Sequence, residues 1–312
     1  MEFPNGKRFA FTIFDDTEEA IASNAKPVYD LLCEAGLRTT KCAWVFPTRG
    51  RIGGQCLQDE DYREFVLDLQ NRGFEIGLHS VGDGAFSRAE IIRGIEQFER
   101  IVGHSPKVHT NHVSNPDNIY WLDDRFEWPF NVAYRGIYRW LRGRSAVCGG
   151  STEGSDFFWG DVFKRKVKYI RNLTFNEIDT LACDPRMPYQ CKRKSTYSNY
   201  WFSSSDGDTV REMNALLSPE NCDRLEKHGG VCIAYTHFAY GFVNSQGQLH
   251  PEFEKNIRYL AAKAGWFVPV STLLDYLLDT HSQASDPGYI YHLTRNLLWF
   301  FQRVNKKLRF GR

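Results

Sequence analysis

No uninterrupted apolar run in the 312 residues is long enough to cross a bilayer, and the longest candidates, near the C-terminus, are broken by Arg, Asn and Gln. That excludes a helical membrane span and leaves a soluble or peripheral chain. The first residues, MEFPNGKRFAFTIFDD, lack the charged region, long apolar core and small-residue cleavage site of an export signal. The expectation is a cytoplasmic protein, in contact with the inner face of the membrane if with any. The eight cysteines (Cys33, Cys42, Cys56, Cys148, Cys183, Cys191, Cys222 and Cys232) include no CxxC pair. In a chain with ample core of its own they read as reduced, mostly buried thiols. A strong charge of either sign is also missing: 39 Lys and Arg stand against 38 Asp and Glu, for a net charge of +1, which argues against a nucleic-acid surface spread over the molecule. Internal repeats and long low-complexity linkers are absent too. The chain therefore reads as one catalytic domain, residues 1–282, with a C-terminal helical appendage, residues 283–312.

What is present is core material, 42% hydrophobic and 15% aromatic, arranged with alternating periods. Strand-like and helix-like segments follow one another as Phe9–Phe14, Ala25–Gly36, Thr39–Phe46, Glu60–Asn71, Phe74–His79 and Arg88–Gly103. Such βαβα order predicts a mostly parallel sheet or barrel. Gly36 and Gly73 stand where helices should stop, since glycine takes the left-handed conformation that closes a helix. A strand is expected at Lys107–His112. From Tyr120 to Arg144 the chain is dense in Trp, Tyr, Phe and Arg and shows no readable period. The pattern resumes with a strand and loop within Lys166–Asp184, a strand at Tyr200–Ser204, helices at Asp208–Leu217 and Ser218–His228, and a strand at Gly230–Tyr235. A helix over Pro251–Ala264, a strand over Trp266–Val270 and a helix over Ser271–Leu278, capped by Ser271, close the series.

In parallel β/α folds, function gathers at the carboxyl ends of the strands. FTIF runs into Asp15 and Asp16, EIGL into His79, KVHTN into His112, and VCIAYT into His237. Taken singly, an Asp after a strand is usually a turn or cap residue, and a lone His a satisfied polar side chain. Together they are Asp and His donors at one end of one fold, the set that suits zinc and similar divalent ions. Asp15 and Asp16 cannot point the same way from an extended chain, so one can bind a metal while its neighbour faces the metal's water.

At these residues the sequence resembles the polysaccharide-deacetylase family, the NodB-homology or carbohydrate-esterase 4 group, whose first motif is an apolar strand ending in TFDD. Here it reads FTIFDD. The second motif, EIGNH continuing H-S/T-x-x-H, reads EIGLHSVGD, with Asp83 in the place of the second histidine. GHSP and the late AYTH continue the likeness. The resemblance implies a distorted (β/α)7-type barrel and an N-deacetylase, with Asp16 and His79 as metal ligands, Asp15 as general base and His237 as general acid. Where the family has Arg-Pro-Pro-Tyr this chain has HTNHVSN, placing His109 at the arginine position and His112 near the aromatic one. The third ligand is thus either Asp83 or His112.

The implied reaction is hydrolysis of an acetamide on an amino-sugar glycan or a lipid-linked precursor, with a divalent ion, zinc by its donors, as cofactor. Asp184 and Asp179 are candidate partners for His237, and the backbone amides around Asn111–Val113, or the side chain of Asn111, are candidate donors to the oxyanion. His109, Arg186 and Trp201 complete the candidate substrate contacts. Trp121, Trp159, Tyr197 and Tyr240 read first as core, with sugar platforms as the alternative. Hydrolysis of another amide, or glycan binding without catalysis, are the competing functions. The last segment, YIYHLTRNLLWFFQRVNKKLRFGR, carries six Lys or Arg and no acid. It reads as a helix that either lies in an anionic membrane interface or packs its apolar stripe on the barrel or on a second subunit.

Overall fold

The structure is a computed structural model that describes residues 2–113, 115–143, 148–280 and 284–311. Seven strands, β1 (Phe9–Asp15), β2 (Thr40–Ala43), β3 (Glu75–Leu78), β4 (Val108–His109), β5 (Tyr169–Phe175), β6 (Tyr200–Asp206) and β7 (Val231–Thr236), are hydrogen-bonded in that order. Every pairing is parallel, and β7 and β2 both pair with β1, so the sheet closes into a seven-stranded barrel. This is the distorted (β/α)7 architecture. The distortion has a visible source. β1 meets β2 only at Phe14 and Asp15, while its first half, from Phe9 to Phe11, pairs with a short eighth strand, β8 (Gly265–Phe267). Strands buried on both faces have no solvent side to alternate toward, and all seven residues of β1 are buried.

Eleven helices among the described residues wrap or extend this barrel: α1 (Ala22–Glu34), α2 (Glu60–Asn71), α3 (Arg88–Val102), α4 (Phe130–Arg142), α5 (Gly160–Lys166), α6 (Thr180–Cys183), α7 (Val210–Leu216), α8 (Pro219–His228), α9 (Pro251–Ala261), α10 (Val270–Thr280) and α11 (Tyr289–Phe310). Gly36 and Gly73 take the left-handed backbone expected of them, at φ +76° and +87°. α1 begins earlier than its apolar spacing predicts, because Asn24 accepts the Ile21 N–H and fixes the first turn, with Pro27 carried inside the helix. Ser271 does not cap α10. The helix starts at Val270, whose N–H donates to the Thr40 hydroxyl while the Ser271 N–H donates to Glu75, so residues at the start of β2 and β3 supply the cap. Such a partner is distant in sequence and leaves no local mark. The strand expected over Lys107–His112 is paired only at Val108–His109, since from Asn111 the chain is drawn into a loop by paired bonds to Ile119.

The main core lies in and around the barrel, and a second apolar cluster joins α4 and α11 to β5 through Phe126, Leu173, Phe175, Cys183 and Trp299. The Arg125 guanidinium sits among Trp121, Trp299 and Phe126 at 4.3–4.9 Å, a cation over several ring faces. Residue 282, the expected limit of the catalytic domain, lies outside the described residues. All eight cysteines are free, and no described helix is long and apolar enough to cross a membrane.

Candidate metal centre

The end of β1 sends its two aspartates opposite ways, as an extended chain must. Asp15 is fully buried and fully engaged: its carboxylate accepts from Lys41 Nζ at 2.8 Å, the Tyr29 hydroxyl at 2.9 Å and the Phe238 N–H at 2.9 Å. Burial pulls the Lys41 ammonium down, but the Asp15 carboxylate outweighs it and holds the lysine above its ordinary range. Asp16 turns to the other side. One oxygen takes a 3.0 Å bond from Arg171, and the other, Oδ1, lies 3.9 Å from His79 Nδ1 with no hydrogen-bond partner.

Two residues further on stands a group the sequence reading missed. The Glu18 carboxylate lies among three imidazoles, 2.9 Å from His79 Nε2, 3.5 Å from His112 Nε2 and 3.1 Å from His237 Nε2. Glu18 follows the strand by three residues in the run DDTEE and reads as an ordinary acid at a helix start. Its only local signal was proximity to FDD. β3 delivers His79, the turn after β4 delivers His112, and β7 delivers His237, so four separate strand ends meet at one carboxylate.

Each imidazole has an oxygen near its far nitrogen, within hydrogen-bonding distance for His79 and His237 and at ion-pair range for His112. His79 Nδ1 is 3.3 Å from the Thr110 carbonyl, His112 Nδ1 is 3.5 Å from Asp83, and His237 Nδ1 is 2.7 Å from Asp208. In a neutral imidazole such as a metal-ligating His79 or His112, a proton on Nδ1 would leave the Nε2 lone pair aimed at the centre, the arrangement common to metal-bound histidines. Trp44 walls the pair, stacked on His79 and edge-on to His112 at ring separations of 6.2 and 5.8 Å.

The electrostatics follow from burial. Desolvation lifts Glu18, but His79 and His237 override it and hold the carboxylate well below its usual range. Desolvation pulls His237 down, and Glu18 and Asp208 together hold it well above the ordinary imidazole value. His79 is raised by Glu18 and Asp16 against the same penalty. His112 is lowered by burial and by the neighbouring His79.

The donors fit a divalent ion. Glu18, His79 and His112 offer ligand atoms all within 4.8 Å of one another, and so do Asp16, Glu18 and His237. Zinc bonds near 2 Å in a tetrahedron place donors roughly 3.3 Å apart, and the separations from Glu18 of 2.9–3.5 Å bracket that value. Moreover, neither ring nitrogen of buried His112 makes a hydrogen bond, and Asp16 Oδ1 is likewise orphaned. Buried polar atoms without partners cost free energy, which a bound cation would offset.

The remaining sequence candidates are placed elsewhere. Asp83 stands behind His112, its other oxygen taken by the Thr48 hydroxyl and the Ile52 N–H. The Asn111 side chain both donates to and accepts from the Ile119 backbone, so it is spent on the loop. His109 packs edge-on against Trp159 and Phe163, and burial pushes its pKa down to about 3. Trp201 is the second residue of β6, at the barrel end opposite the cluster, with its indole N–H on Ser198. The Arg186 N–H donates to the Tyr291 hydroxyl at the start of α11. Neither Asp184 nor Asp179 serves His237: Asp184 accepts from Ser203 and Tyr291, and Asp179 caps α6. Asp208, at the end of β6, takes that place because β6 neighbours β7.

No family model and no curated protein matches the sequence. Among solved structures, a polysaccharide deacetylase from Bacillus cereus is 12% identical, with 84% of this chain and 91% of that one covered and a TM-score of 0.38. The catalytic domain of a peptidoglycan N-acetylglucosamine deacetylase from Eubacterium rectale is 12% identical over 87% and 92%, with a TM-score of 0.40. A GH57-type branching enzyme from Pyrococcus horikoshii is 10% identical over 89% and 72%, with a TM-score of 0.45.

Proposed function

We propose that this protein is a divalent-metal-dependent hydrolase of a carbon–nitrogen bond, and that it removes an N-acetyl group from an amino-sugar glycan or its precursor. The observation that carries the reading is the buried Glu18 carboxylate among His79, His112 and His237, with orphaned donors beside it. The motifs FTIFDD and EIGLHS support deacetylation in particular. Eight free thiols support a reducing, cytoplasmic setting.

Glu18, His79 and His112 are the ligands in this reading, and zinc suits their oxygen and nitrogen donors. The ion would polarise the amide carbonyl and make its water acidic. Asp16 is the proton acceptor: Arg171 keeps it in place through one oxygen and leaves Oδ1 turned toward the centre. Asp15 is not proposed for that role, because both its oxygens are held by Lys41, Tyr29 and the Phe238 N–H. His237, kept protonated by Asp208 and Glu18, is the acid that gives its proton to the departing nitrogen. Asp83 orients His112.

A smaller amide is the second reading, favoured by enclosure: Asp16, His79 and His112 are buried, and among the described residues of the cluster Glu18, His237 and Asp208 are the more exposed. Elemental analysis of wild type against His79→Ala and His112→Ala, paired with acetate release from N-acetylated oligosaccharides, tests both. Stoichiometric metal lost in both variants, with acetate released by wild type, is the expected result. Metal without acetate points to another amide. Wild type that takes up no metal on reconstitution overturns the hydrolase.

A further inference from the structure

α4 and α11 are adjacent, with Phe130 stacked on Phe300 at 5.1 Å and Tyr134 and Phe126 against Trp299. Those rings are the inward side of the layer. The outward side is the unexpected one. A helix on a globular protein buries its apolar stripe and shows its charges to water. On α4 the residues Ala133, Gly136, Ile137, Trp140 and Leu141 follow the i, i+3, i+4, i+7, i+8 spacing of such a stripe, yet all are exposed, Ile137 by 53% and Trp140 by 83%. α11 repeats the inversion: Ile290, Leu297, Phe301, Val304 and Leu308 fall on one face and are exposed, Phe301 by 68% and Leu308 by 81%. Its cations Arg303 and Lys306 turn inward, both onto Asp206 at the end of β6. Trp128, just before α4, is exposed as well.

Charge identifies what covers these stripes. The two helices carry eight Lys or Arg residues and no Asp or Glu, in a chain whose net charge is +1. Arg139 and Lys307 are exposed beside the stripes, and Arg135, also exposed, is paired with Asp123. We propose that α4 and α11 together form a docking surface for an anionic lipid bilayer, with Trp128, Trp140, Ile137, Phe301 and Leu308 entering the headgroup and acyl boundary and the basic residues meeting lipid phosphates. Exposed apolar stripes with aromatic residues and one-signed flanking charge are the composition of an interfacial helix, and basic side chains gain from the negative surface potential. A second copy of the chain fits less well. A two-fold interface sets a patch against itself, bringing Arg139 and Lys307 toward their own equivalents without acids from either helix to answer them. α11 also ties its inner face to the ends of β5 and β6 through Arg303 on the Thr174 carbonyl and on Asp206. Docking through α11 would therefore hold the carboxyl end of the barrel, where the Glu18 cluster lies, at the membrane.

The test is flotation of the full chain with vesicles of phosphatidylcholine alone and of equimolar phosphatidylcholine and phosphatidylglycerol. The expected result is co-flotation with the anionic vesicles, reduced several-fold in high salt and at least tenfold in the double variant Trp140→Glu, Phe301→Glu. Circular dichroism should show that variant folded, since both residues are exposed, and Arg139→Glu with Lys307→Glu should weaken binding without removing any apolar residue. Absence of binding by folded wild type, or equal binding by all variants, overturns the proposal. So does a wild-type dimer in sedimentation that Trp140→Glu, Phe301→Glu converts to monomer while vesicle binding is lacking. None of these residues belongs to the metal centre, so lipid binding stands or falls apart from the hydrolase reading.

Discussion

Two buried carboxylates three residues apart, Asp15 and Glu18, are held in opposite ways. Asp15 faces a permanent cation and two further donors, and every one of its contacts is a short, directed bond. Glu18 faces three imidazoles, groups whose charge is conditional, beside buried atoms that have no hydrogen-bond partner. The first arrangement is complete as it stands. In the proposed reading the second is completed by a bound metal ion. A saturated buried ion pair therefore marks architecture, and an unsaturated cluster of borderline ligands marks chemistry, even when both come from the same end of the same strand.

Exchanging the two roles gives the largest expected effects. Glu18→Ala removes a shared donor, so bound metal should fall below stoichiometry and kcat/KM should drop by more than the roughly 100-fold typical of outer-shell changes. Stability should change far less than activity. Asp15→Ala should do the reverse, costing about 3–5 kcal/mol by leaving Lys41 buried without its counter-charge, while metal content in the folded fraction is retained. Urea unfolding and elemental analysis on both variants decide the matter. If Asp15→Ala loses metal while remaining fully stable, the contrast collapses.

The next effect concerns the proton on His237. Because Glu18 and Asp208 hold its pKa above the ordinary value, the protonated form is present at neutral pH and is lost as pH rises through that raised pKa. Asp208→Asn removes one of the two carboxylates. The alkaline limb of kcat/KM should therefore move to lower pH, with a loss of about 10²-fold or more at pH 8 and much less at pH 6. An unshifted alkaline limb would remove His237 from the role of acid.

A smaller effect separates ligand from support. His112→Ala should abolish tight metal binding, whereas Asp83→Ala, which only frees His112 to rotate, should weaken it about 10–100-fold. Equal losses measured by competition with a chromophoric chelator would instead make Asp83 a ligand in its own right.

The barrel was legible because its signals are local. Glu60–Asn71 coincides with α2 to the residue, and Gly36 and Gly73 stop their helices, since period and glycine both act within a turn. Strand-end placement likewise named Asp15, Asp16, His79, His112 and His237, and the structure brings Asp16 and the three histidines together around Glu18. What escaped depended on distant partners. Glu18 is defined by imidazoles from three other strand ends, Asp208 by the adjacency of β6 and β7, and the α10 cap by Thr40 and Glu75. Within the unreadable stretch Tyr120–Arg144 the structure places α4, Phe130–Arg142, whose stripe faces outward and so breaks the rule used to read it. Trp201 lies at the other end of its strand and the Asn111 side chain is bonded to the Ile119 backbone, two placements that residue type and strand-end position do not mark.

The smallest effect lies outside the cluster and sharpens the same distinction. Asp117 is buried with neither carboxylate oxygen hydrogen-bonded, and burial lifts its pKa to about 7. It resembles Glu18 in having a buried carboxylate oxygen without a hydrogen bond, but here burial outweighs the lowering effect of His79, so it answers burial by keeping its proton. With the folded value above the unfolded one, the native state binds a proton that the unfolded chain has released. The contribution to stability is then full below the unfolded pKa, near 4, and is lost as pH rises through about 7. Asp117→Asn, which is neutral at every pH, should flatten the decline in stability between pH 5 and 8 by on the order of 2 kcal/mol. Urea unfolding at the two pH values measures it. An unchanged slope would mean that the Asp117 carboxylate is charged at neutral pH and has a cationic partner.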